Sequence, residues 1–378
     1  MKFKKVTLII GLLLNPTVYA RTYDLPYNMQ FDVSGYAGWR QIFSSARHDS
    51  IPSQPELGLL ANLKLTDNLT IFNQFKYGTT INDILVYNQI NYTPNIPIQD
   101  FEITLKGGKI RYDNFLYNNT RVNPRTRQGV FQPQAIYWYP FAQTLTSGTG
   151  IGFDSKYKNF NISYVITNPT VVNADKEAKA WTRQSKGTNF NSNFGGFQLA
   201  NIGYEIPDYG IKTKLFWQRN NFSFDVINGP QNIGLSLDYI GGGIEWKYNN
   251  LTLSSEGFCL QRSSLFWHTG FSGLTCAISP TIEYDITENI SIRTNYNQYR
   301  SPETPGRTTQ NRVPDAQLQT YSKDVNVGIG WHKGQWLMNI QADYVQGGRL
   351  VDPYNFIENP TNYKQFWIVG TNLVYFFN

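Results

Sequence analysis

Beyond residue 20 the chain has no apolar run near the ~18 or more residues that a membrane-crossing helix needs, which excludes a helical membrane protein. Histidine and cysteine are scarce too: His48, His268 and His332 are the only imidazoles, Cys259 and Cys276 the only thiols. Scattered this way, the histidines put no general base within reach of a nucleophile. Nor do these few residues have the spacing of metal ligands. The expectation is therefore no enzyme, no metal and no cofactor. The glycines of GGGIEWKY, residues 241–248, lack the strand-to-helix setting of a phosphate-binding loop and read as a kink or a close approach within a strand.

The basic charge also shrinks on inspection. The first twenty residues, MKFKKVTLIIGLLLNPTVYA, combine Lys2, Lys4 and Lys5 with an apolar run over 6–14, an Asn15-Pro16 break and a Val18-Tyr19-Ala20 ending. These are the three regions of a secretory signal peptide, 1–20, which leaves 21–378 as the mature domain. Its removal takes away three lysines and no acids, so 30 basic face 27 acidic residues and the formal charge falls from +6 to +3. A nucleic-acid partner loses its main support.

What is abundant is aromatic residues, 15% of the chain, set in segments that alternate apolar with polar. In ELGLLANLKL, Leu57, Leu59, Ala61, Leu63 and Leu65 share one face, with Glu56, Asn62 and Lys64 on the other. In WLMNIQADY, Trp336, Met338, Ile340, Ala342 and Tyr344 oppose Leu337, Asn339, Gln341 and Asp343. Period two means strands. Lengths of about ten exceed the 5 or 6 usual in soluble sandwiches and suit a tilted crossing of a bilayer. Sixteen strands are expected near 30–42, 56–66, 69–79, 84–93, 99–110, 148–157, 160–168, 195–206, 211–222, 234–248, 251–262, 275–287, 290–301, 321–332, 336–347 and 364–377. Short turns such as Lys158-Asn159 and Asn249-Asn250 alternate with long polar loops. The expected fold is all-β, a transmembrane antiparallel up-and-down β-barrel of about 16 strands with a long third external loop.

In this plan, and in the segment Arg121, Pro124, Thr126-Arg127, Pro133-Gln134 and Tyr137, the chain resembles the sixteen-stranded Gram-negative outer-membrane porins. The alternating face Trp367, Val369, Thr371, Leu373, Tyr375, Phe377 is similar to their last strand, although Asn378 follows the aromatic on which that family usually ends. The resemblance implies a water-filled channel for small hydrophilic solutes and ions in the outer membrane, in contact with lipid and lipopolysaccharide. It also implies a homotrimer. The longest loop, 111–147, would fold inward and narrow the channel, the part third loops play in that family.

That placement gives the loop's cations a reason. Arg111, Arg121, Arg125 and Arg127, with Asp113, would line a constriction in which guanidinium groups concentrate anions. Arg40, Lys64, Lys76, Lys106, Lys212, Lys214 and Arg293 fall on expected inward faces, opposed by Asp32, Glu102, Glu283 and Asp343. The same arginines could instead pair with Asp113 and wall acids to pin the loop, or bind lipid phosphates outside. A ligand-selective channel or a surface receptor is the alternative function. Cys259 and Cys276 are expected to form a disulfide across the sixth external loop, about 5.5 Å apart, in an oxidising compartment.

Overall fold

The structure, a computed structural model, describes residues 21–25, 29–45, 51–78, 85–116, 147–169, 190–226, 233–264, 274–300, 321–347 and 365–377. A short strand β1 (Arg21–Leu25) precedes sixteen longer ones: β2 (Met29–Ser44), β3 (Ile51–Thr66), β4 (Leu69–Gly78), β5 (Leu85–Tyr92), β6 (Phe101–Arg111), β7 (Ser147–Tyr157), β8 (Phe160–Pro169) and β9 (Phe190–Ile206). They continue with β10 (Ile211–Val226), β11 (Ile233–Tyr248), β12 (Leu251–Ser264), β13 (Thr275–Thr287), β14 (Ile290–Arg300), β15 (Tyr321–Lys333), β16 (Trp336–Gly347) and β17 (Gln365–Phe377). Each pairs antiparallel with its neighbour in sequence, and β17 pairs back onto β2 from Ile368↔Ser44 to Phe377↔Gly35. The sheet closes on itself and leaves no edge among the sixteen.

Alternation decides the two surfaces. Ile151, Leu215 and Ile240 are 64–68% exposed on the outside, while neighbours one position away, such as Phe216 and Tyr239, are buried inside. A closed sheet with its apolar side out satisfies every strand hydrogen bond while facing hydrocarbon. Near the short turns the outer face carries Trp336 against Tyr375 at 5.0 Å and Trp246 stacked near Tyr248 at 5.8 Å. At the other end Tyr344 meets Trp367 at 4.9 Å. From Trp336 to Tyr344 is eight steps of a tilted strand, roughly 21 Å, close to the height of an outer-membrane apolar band. The outside turns polar past Trp217, where Arg219 forks onto Asp238 with bonds of 2.7 and 3.2 Å.

The sixteen expected strands are all present. Several run further toward the long-loop end than expected: β3 starts at Ile51 rather than 56, β9 at Phe190 rather than 195, and β10 reaches Val226 rather than 222. Those extensions, such as IPSQP, lie beyond the apolar band, where nothing forces alternation. The segment at 84–93, whose apolar alternation is poor, forms the shortest barrel strand, β5, and only five of its residues pair with β6. The strand β1 was not expected; RTYDL is too short to show a period. Lys158 and Asn249 take φ of 52° and 50° in the two-residue turns, as the tight reversal requires. The expected signal segment 1–20 lies outside the described residues, as do His48 and His268; His332 sits next to the turn after β15.

Cys259 and Cys276 are bonded, and they are register partners on β12 and β13. Their Cα atoms are 4.1 Å apart rather than the expected 5.5 Å, the spacing of a narrow pair that does not exchange backbone hydrogen bonds. Because Phe258, Leu260 and Ala277 face inward, the bridge lies on the outer wall. Its loop-closure contribution is about 3 kcal/mol. Alkylation of the folded, unreduced protein followed by mass spectrometry should find neither thiol modified, and two alkylated cysteines would break this register.

Candidate functional site

The chain does not turn back toward β7 when it leaves β6. Residues 112–116, the root of the third long loop, run along the inner wall from β8 to β12. Tyr112 is fully buried, stacks on Phe197 of β9 at 3.9 Å and shares a hydrogen bond with Thr167 of β8. Gly148 makes this possible, since a Cβ there would stand 2.1 Å from the Tyr112 hydroxyl. Lys214 of β10 bonds the Asp113 carboxylate at 2.9 Å and the Asp113 carbonyl at 3.2 Å. The Asn114 amide donates to Gln218 Oε1 at 2.8 Å.

The next two residues fasten the root. Phe115 sits edge-on to Phe216 at 4.5 Å and to Phe258 at 6.0 Å, and it does so with φ of 61°. A left-handed phenylalanine is strained by about 1–3 kcal/mol and persists only where its surroundings hold it. The holding contacts are those rings and the Leu116 N–H, which donates to Glu256 Oε1 at 2.6 Å. Leu116 lies against Gly243, where a Cβ would come within 2.7 Å of its Cγ. The glycine of GGGIEWKY is thus a seat for the loop root, a close approach of the kind its sequence suggested.

Charges on the inner wall come in pairs. Lys106 pairs with Asp154, and Asp154 also feels Asp113 and Lys214, so these four residues form one network at the loop root. Arg40 pairs with Glu56, both buried. Toward the short-turn mouth Arg293 faces Glu283 at 3.7 Å, Lys212 faces Glu245 at 4.0 Å and Lys64 holds Asp67 at 2.7 Å. The Lys64 hydrogen bond and charge keep the Asp67 carboxyl below its usual pKa. Glu102 is exposed near the same mouth, and Lys76 is buried on β4. Arg111 lies over the Tyr87 ring at 4.7 Å and the Phe72 ring at 5.2 Å.

Of the residues singled out in the sequence, Asp113, Lys106 and Lys214 come together, Arg111 stands on the aromatic wall beside them, and Arg40, Lys64, Lys76, Lys212, Glu102 and Arg293 are spread over the height of the barrel. Arg40, Lys64, Lys106, Lys212, Lys214 and Arg293 each have an acid beside them, which offsets the cationic lean read from the sequence. Arg121, Arg125 and Arg127 lie outside the described residues. Sequence reasoning missed Phe115, Leu116, Asp154 and Glu256. The last two could have been found by parity, as acids on the non-apolar face of their strands; the first two look like ordinary loop residues.

A closed antiparallel barrel of sixteen long strands, apolar outside and polar inside, is the fold of outer-membrane porins and channels. Comparison with solved structures agrees. The trimer form of OmpT, an outer-membrane protein of Vibrio cholerae, matches with a TM-score of 0.60 at 10% identity, over 92% of this chain and 99% of that one. OmpF of Salmonella typhi matches at 0.59 and 12%, over 92% and 98%. The anion-selective porin of Comamonas acidovorans matches at 0.59 and 8%, over 92% and 100%. No protein-family pattern and no curated protein matches the chain.

Proposed function

We propose that the chain is an outer-membrane porin without catalytic activity, a passive channel for small hydrophilic solutes and ions that its third loop narrows from within. The observation that carries this is the path of residues 112–116 across the inner wall, which starts the loop inside the barrel rather than above it. A polar interior bounded by low-dielectric walls passes hydrated solutes and amplifies the effect of any unpaired charge. With the wall cations largely neutralised by partners, an anion preference would rest on Arg121, Arg125 and Arg127. The mature protein would be 21–378, a homotrimer set in lipid and lipopolysaccharide; a trimer form of a similar barrel supports that assembly.

Purified protein in planar bilayers should show ion conductance with no ligand added. Conductance that appears only with a ligand would favour a selective channel or receptor, and none at all would end the porin reading.

A further inference from the structure

Away from the loop root, the inner face of β14 to β16 carries polar groups that the channel reading leaves unused. Asp324 and Asp343 are 1% and 0% exposed on adjacent strands, Asp343 opposite Asn326, two positions from Asp324. A ladder of carboxamides orients the first of them. Asn295 Nδ2 donates to Ser279 Oγ at 2.8 Å and Thr281 Oγ1 at 2.6 Å, so its oxygen turns the other way and accepts from Asn326 at 3.1 Å and from Asn297. Asn297 Nδ2 also donates to Asp324 Oδ1. The Asn297 amide has one sensible orientation, because a flip would turn its oxygen onto two acceptors.

Two oxygens are left over. Asn297 Oδ1 and Asp324 Oδ2 are buried, on hydrogen-bonded neighbours, and among the described residues neither has a hydrogen-bond partner. Orphaned buried acceptors are rare, and an orphaned carboxylate oxygen beside a second carboxylate calls for positive charge. The donors are all oxygens, which selects hard cations over zinc or copper. Among the described residues no three of His, Cys, Asp and Glu gather around a metal position, so the set is a weak station rather than a closed cage. Weak holding suits an ion that must leave again.

We propose that Asp324 Oδ2 and Asn297 Oδ1, with the Asp343 carboxylate beside them, form a binding station for a hard divalent cation, Ca²⁺ or Mg²⁺, on the inner wall. It rests on the porin reading only in that the interior must admit ions from water. Titration of CaCl₂ into the detergent-purified full barrel at low ionic strength should show saturable binding, about 10⁻⁴–10⁻³ M. Asp324→Asn keeps the shape and the Asn297 contact and should weaken it at least about tenfold. If that variant does not fold, Asp343→Asn carries the same test. No saturable binding in the wild type, or equal affinity in wild type and a folded variant, overturns the station. In bilayers Ca²⁺ should lower K⁺ conductance in the wild type and not in Asp324→Asn; an unchanged wild-type conductance at saturating Ca²⁺ also counts against the proposal. Calcium binding by a barrel that never conducts upholds the station and sinks the channel instead.

Discussion

A chain carrying Phe115→Ala and Gly243→Val should conduct about twice as much per channel as the wild type, with greater open-channel noise, while its barrel stays folded. Beyond the contacts of Tyr112, Asp113 and Asn114, the far end of the root is strained at Phe115 and held by the Phe216 and Phe258 rings, the seat at Gly243 and the Glu256 hydrogen bond. Truncating a packed phenylalanine removes about 3–5 kcal/mol. A valine at 243 starts with a Cβ 2.7 Å from Leu116 Cγ and displaces it. Together the two changes exceed what one hydrogen bond of about 1 kcal/mol can retain. The strand ladders are untouched, so heat-modifiable mobility in detergent gels should match the wild type. Glu256→Gln alone should do little, because a glutamine oxygen still accepts from the Leu116 N–H. Wild-type conductance and noise in the folded double variant would show that the root does not govern the channel.

Arg121→Ser, Arg125→Ser and Arg127→Ser together should move the reversal potential in a salt gradient toward cations, with anion over cation permeability falling roughly three- to tenfold. The wall sharpens this expectation. Since Arg40, Lys106, Lys214 and Arg293 each face an acid, little wall charge remains to keep up an anion preference once the loop is neutral. The shift should be largest at about 0.1 M salt, where the screening length is about 10 Å, and small at 1 M, where it is about 3 Å. An unchanged reversal potential with intact conductance would place these arginines outside the narrow part and favour a role in pinning the loop or meeting lipid.

The barrel was legible in the sequence because a single physical rule shapes it. Hydrocarbon outside and water inside impose period two on every strand, and Leu57-Leu59-Ala61 or Trp336-Met338-Ile340 display it plainly. The disulfide was legible for the same reason, because good strand boundaries fix register, although the choice between a wide and a narrow pair was not. The loop root obeys no period. Phe115 and Leu116 find their partners on β10, β11 and β12, more than 100 residues away, by shape and one backbone hydrogen bond. The signs of the wall charges were readable; their pairing, as in Lys106 with Asp154 across β6 and β7, needed the register.

The seam between β17 and β2 sets the order of assembly. Every other ladder of the barrel joins neighbours in sequence, so each can form as a hairpin soon after its two strands exist, whereas Phe377↔Gly35 and Ile368↔Ser44 span more than 320 residues. Loop-closure entropy makes such a contact the slowest to gain. The last positions of that seam are dressed on the inside by Tyr36 against Phe376 at 6.1 Å with Val374 packed beside them, and the Tyr36 ring lies over Gly58, where a Cβ would come within 2.1 Å. Past Phe377, β1 takes over the same edge of β2, from Arg21↔Val33 to Leu25↔Met29, so that two strands far apart in sequence cover one strand in line. Until this zipper shuts, the sheet has two bare edges that lipid cannot solvate. Closure and full insertion are therefore one event, and it waits on the thirteen residues of β17.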